Sequence, residues 1–301
     1  CVWDVASCEA LGVPMEMLPE IRSCSEVYAT VASSALEGVP IAGCAGDQHA
    51  AMLGQCAFEA GQAKCTYGTG AFMLMNVGDQ VAPSTHGLLS TVCYQLGPDA
   101  PVTYALEGSV SAAGRAVQWL RDNLNLVANA AELEQLARSV SSSEGVIFVP
   151  AFSGLFAPYW RSDARAVIVG LTLYSNKAHI AHATLEAVTF QVRELLDAMQ
   201  ADAKTELAVL KVDGGMTINE TLMALQADAI QASVLRPREI ETTALGAAFA
   251  AGLATGVWQS VEELKGLNPT GKMFEPTISE AESEARLVRW KDAVMRTLDL
   301  A

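Results

Sequence analysis

The spacing of apolar and polar residues predicts strands and helices that alternate along the chain. Short apolar runs bounded by Gly, Pro or Asp predict strands, and apolar residues repeating every three or four positions predict amphipathic helices. Predicted strands cover 40–45, 63–67, 72–77, 91–95, 102–106, 146–149 and 208–212. Predicted helices cover 109–124, 130–140 and 175–203, with others starting at Gln48 and after Ser279. Residues before Glu37 indicate only short helices and loops, and the whole pattern predicts an α/β fold.

Length and composition refine this picture. A chain of 301 residues exceeds the size at which a single hydrophobic core usually keeps growing, so we expect two domains or parts of two. We predict the boundary between Gln55 and Gln62, which gives units 1–58 and 59–301. Hydrophobic residues make up 51% and aromatic residues only 6%, as is typical of helices packed closely on a sheet.

Charge and cysteine content exclude several classes of function. The net charge is −15, the isoelectric point is near 4.6 and no run of Lys or Arg occurs, so neither nucleic acid nor an anionic membrane is an expected partner. Seven cysteines without zinc-type spacing indicate reduced thiols in a cytosolic protein. The longest uncharged run, 242–258, predicts a buried helix, and the start at Cys1 without Met predicts a truncated N-terminus.

A glycine turn between two predicted strands is a candidate phosphate site. In Gly68-Thr69-Gly70 the glycines let backbone N–H groups approach an anion, and the Thr69 hydroxyl adds a donor. An ordinary hairpin turn is the alternative. A second candidate follows the strand at 208–212, where Asp213-Gly214-Gly215 precedes a helix whose capping box would be Thr217 and Glu220. A plain strand-to-helix connection explains that segment equally well.

Three further residues have both a chemical and a structural interpretation. Gly114 interrupts a predicted helix and Gln118 lies one turn later, so either a neighbouring helix or a purine ring packs there. Asp47 follows an apolar strand and precedes a helix, a position that suits a catalytic base or a helix N-cap.

Two motifs are set aside. The residues 266–272 fit a P-loop pattern except that Met273 replaces the required Ser or Thr and Pro276 follows where a helix should begin. His179, His182 and Glu186 have a metal-compatible helical spacing but lack Cys or Asp companions, so no metal site is expected.

Several motifs in a fixed order together resemble the FGGY carbohydrate kinases, and among them the animal type that acts on glycerol. They include Gly-Asp-Gln at 46–48, Gly-Thr-Gly-Ala-Phe at 68–72, Ala-Pro-Tyr-Trp at 157–160 and Asp-Gly-Gly at 213–215. The resemblance runs through nearly the whole chain. It implies an actin-like, ribonuclease-H-like fold in which 1–58 ends an N-terminal FGGY domain and 59–301 forms the C-terminal one.

The resemblance also implies roles for individual residues. Asp47 would be the general base on a glycerol hydroxyl, with Gln48 and Phe72 lining the polyol pocket. Residues expected to hold ATP are Gly68 and Thr69 at the phosphates, Gly114 and Gln118 at the nucleotide, and Gly215 and Asn219 at the adenosine side. Mg²⁺ would bridge the phosphates and neutralise the charge that develops during transfer.

The implied activity is ATP-dependent phosphorylation of glycerol in the cytoplasm, by a homo-oligomer in its full-length form; association with the mitochondrial outer surface is a further option. A pentulose or sugar-acid substrate, or a non-catalytic homologue, remains an alternative. His49, Cys65 and Arg115 depart from the family pattern beside these sites. The family's N-terminal region, with its first phosphate hairpin, is not in this sequence, so we expect the chain alone to be inactive.

Overall fold

A computed structural model describes residues 1–301 and contains a seven-stranded mixed sheet with helices on both faces. The strands are β1 (Ser25–Thr30), β2 (Pro40–Gly43), β3 (Ala63–Tyr67), β4 (Ala71–Gly78), β5 (Leu89–Gln95), β6 (Val102–Val110), β7 (Ile147–Val149), β8 (Val167–Val169), β9 (Val209–Asp213), β10 (Ser233–Pro237) and β11 (Thr270–Phe274). The helices are α1 (Val5–Leu11), α2 (Asp47–Gly54), α3 (Gly114–Asp122), α4 (Ala130–Arg138), α5 (Lys177–Ala203), α6 (Glu220–Ile230), α7 (Thr242–Ala254), α8 (Val261–Leu264) and α9 (Glu280–Met295). The α/β prediction is confirmed.

The strand order of the large sheet places three motifs side by side. The order is β11-β10-β9-β3-β4-β6-β5, with β9 parallel to both β3 and β10 and all other pairs antiparallel. Because β3 and β9 are parallel neighbours, the turn after Tyr67 and the turn after Asp213 lie at the same end of the sheet. The strands β1 and β2, and β7 and β8, form two separate pairs.

The two faces of the sheet pack against different helices. Alternate residues such as Cys65 and Met73 point into the main core, which includes Leu185 of α5 and Leu222 of α6. On the opposite face, Leu74 packs with Met52 and Leu53 of α2 in a smaller cluster. This arrangement positions α2, which begins with Asp47, over the sheet.

Helices α2 and α7 pack closely enough to require glycine at their contact. A Cβ atom added at Gly246 would overlap the carbonyl oxygen of Ala50, and one added at Gly54 would overlap that of Thr242. The Thr243 hydroxyl also donates to the Asp47 carbonyl at 3.3 Å. The run at 242–258, predicted to be a buried helix, therefore supplies the support for α2.

The segment that leads into β5 is fastened to the end of α5 by Asp202. This carboxylate accepts hydrogen bonds from the Ser84 hydroxyl at 2.6 Å and the Thr85 amide at 3.1 Å, and lies 2.7 Å from His86 Nδ1. Burial opposes its ionised form, but the hydrogen bonds from Ser84, His86 and Thr85 outweigh burial and lower the pKa of Asp202 to about 2.

Three sequence-based expectations about secondary structure are wrong. The region before Glu37 contains strand β1, which pairs with β2. The predicted helix over 109–124 is shorter, because pairing with β4 continues β6 to Val110. The cap of α6 is Asn219, whose side chain accepts from the Leu222 amide at 2.8 Å, whereas the Thr217 hydroxyl donates to the Gly214 carbonyl. No Thr217–Glu220 capping box forms.

The domain boundary between Gln55 and Gln62 stays a prediction. None of the helices combines the length and the apolar character that crossing a membrane requires.

Candidate active site

The turn between β3 and β4 presents unused hydrogen-bond donors. Tyr67 pairs with Ala71 across the hairpin, and the Gly68 amide donates to the Gly70 carbonyl at 2.9 Å. The amides of Thr69 and Gly70 and the Thr69 hydroxyl have no hydrogen-bond partner within the chain. A turn with two free N–H groups and a free hydroxyl is chemically suited to bind an anion.

The start of α3 holds this turn in place through the backbone. The Gly114 amide donates to the Gly68 carbonyl at 2.9 Å, and the amides of Ala113 and Arg115 donate to the Thr69 carbonyl at 3.1 and 2.9 Å. A Cβ atom at Gly114 would lie 2.6 Å from the Gly68 oxygen. Gly114 therefore begins a helix rather than interrupting one, and the group packed against it is the turn itself.

The turn after β9 adds a second glycine-dependent contact. Gly214 has φ near +89°, and a Cβ atom there would lie 2.6 Å from the Tyr67 carbonyl oxygen, so two constraints require glycine. A Cβ atom at Gly215 would meet nothing within 4 Å. Since the Asn219 side-chain oxygen caps α6, its amide nitrogen keeps its donors.

These elements enclose a cavity of about 440 Å³ at one end of the large sheet. It brings together all six residues predicted to hold ATP: Gly68, Thr69, Gly114, Gln118, Gly215 and Asn219. We call it the glycine-rich cavity. Its apolar lining comes from Val117, Leu133, Met216 and Ile218, which the sequence did not identify as site residues. Val117 and Leu133 follow helical spacing and are therefore indistinguishable from ordinary core residues in the sequence.

Asp47 lies outside the glycine-rich cavity, at the first position of α2. Its side chain is exposed, and one carboxylate oxygen accepts from the Gln48 amide at 2.8 Å. The N-cap is Gly46, so Asp47 is not the cap that the alternative interpretation required. The exposed Asp47 carboxylate is accessible to a substrate hydroxyl.

Gln48 and the Phe72 side chain lie on the same face of the sheet, the one that α2 covers. Phe72 lies directly opposite Thr66 in the β3–β4 register, so their side chains share a face. Lys64 Nζ, on the same face, donates to Gln48 Oε1 and to Thr66 Oγ1, the latter at 2.9 Å. We call the surface formed by Gln48, Lys64, Thr66 and Phe72 the Lys64 face. No local pattern marks Lys64 as a site residue, because a lysine in a strand is usually exposed.

The residues that depart from the family pattern lie in different environments. His49 is half-buried, and burial lowers its pKa although Glu107 and Asp47 oppose the change. Cys65 is buried on the opposite side of the sheet from the Lys64 face, where burial raises its pKa to about 12. Arg115, by contrast, is exposed beside Gly114 at the start of α3.

The motifs set aside in the sequence have structural roles. The His179 ring accepts from the Asn176 amide at the start of α5, and His182 Nδ1 lies 3.1 Å from the Ala137 carbonyl. The P-loop-like run at 266–272 ends within strand β11, and no helix begins there.

Comparison with known proteins shows which class of protein this fold and site define. The model of the FGGY family of carbohydrate kinases, C-terminal domain, matches residues 63–255, and that of the N-terminal domain matches residues 1–54. The chain belongs to the FGGY family of carbohydrate kinases. The actin-like, ribonuclease-H-like fold implied by the sequence motifs is thereby confirmed.

The relatives within that family are glycerol kinases. The chain is 54% identical over 297 residues to the glycerol kinase of Chloroflexus aggregans and 54% identical over 298 residues to that of Renibacterium salmoninarum. Each match covers 99% of this chain and 59% of the relative. The chain therefore spans about three-fifths of the length of the curated relatives it matches.

Solved structures agree with this assignment. The structure of Plasmodium falciparum glycerol kinase with ADP matches 99% of this chain and 60% of that one, with 40% sequence identity and a TM-score of 0.90. The ligand-bound xylulose kinase of Lactobacillus acidophilus matches 98% of this chain and 60% of that one, with a TM-score of 0.82. Its identity of 21% shows a shared fold alone.

Proposed function

We propose that this chain carries the nucleotide site and the catalytic carboxylate of an enzyme that phosphorylates glycerol with ATP. The observation that carries the proposal is the glycine-rich cavity, in which six residues from three separate motifs line one space. Two findings support the choice of ligands. The relatives at 54% identity are named glycerol kinases, and the Plasmodium falciparum enzyme was solved with ADP.

In this proposal the Gly68–Thr69 turn holds phosphate oxygens. The free amides of Thr69 and Gly70 and the Thr69 hydroxyl donate to them, and the backbone bonds from α3 keep these donors oriented before the nucleotide arrives. Oriented donors of this kind stabilise the charge on the equatorial oxygens in phosphoryl transfer, because they need no reorganisation during the reaction.

The rest of the glycine-rich cavity accommodates the nucleoside. Gly215 leaves open space over its turn, Asn219 offers its amide nitrogen, and Gln118 provides a polar edge beside the apolar lining. An apolar cavity with a few polar groups is suited to a purine ring, whose faces are apolar and whose edges are polar.

Asp47 acts on the acceptor. Its exposed carboxylate accepts the proton of the glycerol hydroxyl that attacks the γ-phosphorus, while Gln48 and Phe72 bind the polyol. Because phosphoryl transfer has a loose transition state, the proton moves late, as ADP leaves, and a weak base is sufficient.

Mg²⁺ is part of the proposal, as it is for kinases in general. Within the chain no group of three or more His, Cys, Asp or Glu side chains is arranged to hold a metal. Mg²⁺ commonly binds through one or two carboxylates together with substrate phosphates and water, so it does not require a dedicated cluster of protein ligands. When bound, the ion neutralises charge on the phosphates.

Three broader expectations are kept as part of this proposal: a cytoplasmic location, a homo-oligomeric full-length form, and domains divided at 58/59. Nothing in the comparisons supports the mitochondrial association considered from the sequence, and we do not propose it.

The test is a substrate panel on the natural protein that contains this chain. Glycerol, xylulose and gluconate are each supplied with Mg-ATP, and phosphorylated product is measured by mass spectrometry. We expect glycerol to have the highest kcat/KM. A preference for xylulose or gluconate would contradict the substrate, and absence of any transfer would contradict the activity.

Nucleotide binding is measured separately on the 301-residue chain by calorimetric titration with ADP. Because all six cavity residues lie in this chain, we expect saturable binding of one ADP per chain. Chains carrying Thr69→Val, which lacks the free hydroxyl, should bind ADP more weakly. Equal affinity for both chains would contradict the proposed role of the turn.

A further inference from the structure

Lys64 is a fully buried charged residue that the proposed chemistry does not use. Its side chain has no exposed surface, and burial lowers its pKa although Asp213, Glu107 and Asp47 oppose that change. Burying a lysine costs free energy unless its donors are satisfied. Here two of the three donors are satisfied by Gln48 and Thr66. A buried lysine bonded to a predicted substrate residue calls for an explanation.

The chemistry of lysine fixes the orientation of the Gln48 side chain. An ammonium group has three donors and no acceptor, so the Gln48 atom that faces Lys64 must be the carboxamide oxygen. The amide nitrogen of Gln48 therefore points away from Lys64 with its two donors available. Without Lys64, the carboxamide could rotate by 180° and exchange donor for acceptor.

A second lysine on the same face provides a natural comparison. Lys211 of β9 lies directly beside Lys64 in the parallel β3–β9 register. Its ammonium donates to the carbonyls of Gln55 and Cys56 at 2.9 and 3.0 Å, just beyond the C-terminal end of α2. The two lysines thus contact opposite ends of the same helix. Only Lys64 contacts a residue predicted to bind substrate.

We propose that Lys64 is a positioning residue for the polyol substrate: it holds the Gln48 carboxamide so that the amide nitrogen donates to a substrate hydroxyl next to the one whose proton Asp47 accepts. This inference rests on the proposed function. Gln48 and Asp47 would then recognise neighbouring hydroxyls in opposite roles. The Gln48 amide requires a hydroxyl that accepts a hydrogen bond, and the Asp47 carboxylate requires one that donates. A vicinal diol satisfies both requirements.

The experiment compares Lys64→Met with Lys211→Met in the natural protein that contains this chain. Methionine keeps most of the side-chain volume and removes the ammonium. We expect Lys64→Met to raise the KM for glycerol about tenfold, the effect of losing one oriented hydrogen bond, with the Kd for ADP unchanged. Lys211→Met should leave that KM unchanged. Equal KM values for both variants would overturn the proposal.

A double-mutant cycle tests whether Lys64 acts through Gln48. In a Gln48→Ala background, Lys64→Met should raise the KM for glycerol no further, because the group that it orients is gone. A full tenfold rise in that background would overturn the proposal. An unaltered protein that fails to phosphorylate glycerol would instead refute the proposed function itself, which separates the two failures.

Gln48→Glu keeps the inference testable if Lys64→Met does not fold. Glutamate preserves an acceptor for Lys64 but replaces the amide donor with an oxygen. We expect a KM for glycerol raised as much as in Gln48→Ala, at an unchanged Kd for ADP. A KM equal to that of the unaltered protein would show that the amide donor is not used, and would overturn the proposal.

Discussion

The glycine-rich cavity and the Lys64 face are built from different parts of the polypeptide. The cavity depends on backbone: a Cβ atom at Gly70, Gly114 or Gly214 would overlap a backbone carbonyl oxygen, and amides supply the free donors. The Lys64 face depends on side chains, with Gln48 oriented by a buried ammonium and Asp47 exposed at a helix start. Adding a methyl group should therefore damage the first, and removing a polar atom should damage the second.

The largest expected effect separates the two regions completely. Asp47→Asn removes the proposed base while preserving shape, so kcat for glycerol should fall by about two to four orders of magnitude. The Kd for ADP, measured by titration of the same variant, should stay unchanged because Asp47 does not line the glycine-rich cavity. Retention of more than a tenth of kcat would remove Asp47 from the role of base.

The next effect tests the support of the Lys64 face. Gly246→Ala forces a methyl group onto the Ala50 carbonyl, so α2 must shift, and we expect a loss of about 1–3 kcal/mol in the free energy of unfolding. Urea denaturation measures it. Ala248→Ser, on the exposed side of the same helix, is the matched control and should change stability little. Equal stability of both variants would contradict the close α2–α7 contact.

The same backbone argument applied to the glycine-rich cavity predicts a smaller, local effect. Gly114→Ala pushes on the Gly68 carbonyl and should weaken ADP binding about tenfold by displacing the turn, a loss comparable to one hydrogen bond. Gly215→Ala meets no protein atom, so its melting temperature should equal that of the unaltered chain. Calorimetric titration measures the ADP affinity of Gly114→Ala, and thermal denaturation measures the melting temperature of Gly215→Ala. Unchanged ADP affinity in Gly114→Ala would show that the turn tolerates displacement.

The smallest effect is expected where neither region is touched. Asp202 contributes stability through its ionised form, and because its folded pKa is about 2, below the ordinary 3.8, that contribution is complete above pH 3.8 and lost as pH falls toward 2. Asp202→Asn should therefore be less stable at pH 7 by about 1 kcal/mol, with the difference shrinking at low pH. Urea denaturation at pH 7 and at low pH measures the difference in stability between Asp202→Asn and the unaltered chain. A difference that grows on acidification would contradict the assignment.

Much of the candidate site could be predicted because its signals are local. Gly-Thr-Gly at 68–70 and Asp-Gly-Gly at 213–215 each follow an apolar strand, so both turns can be recognised from a short stretch of sequence. The structure brings all six predicted cavity residues together. Their binding roles, and those of Asp47, Gln48 and Phe72, stay predictions that the experiments above test.

Other features could not be predicted because they depend on contacts between distant segments. Strand β6 continues to Val110 because it pairs with β4. This pairing overrides the helical spacing that predicted a helix from residue 109. The partner of Gly114 is a turn 46 residues earlier in the chain, and no local pattern distinguishes that partner from a neighbouring helix.

The sequence by itself determined the order of strands and helices, the glycine turns at their junctions and the membership in a kinase family, since each depends on short-range patterns. Only the tertiary structure decided that Lys64 is buried and bonded to Gln48, and that α2 lies on Gly246 of α7. The physical reason is that burial of a charge and close approach of two helices depend on neighbours far away along the chain.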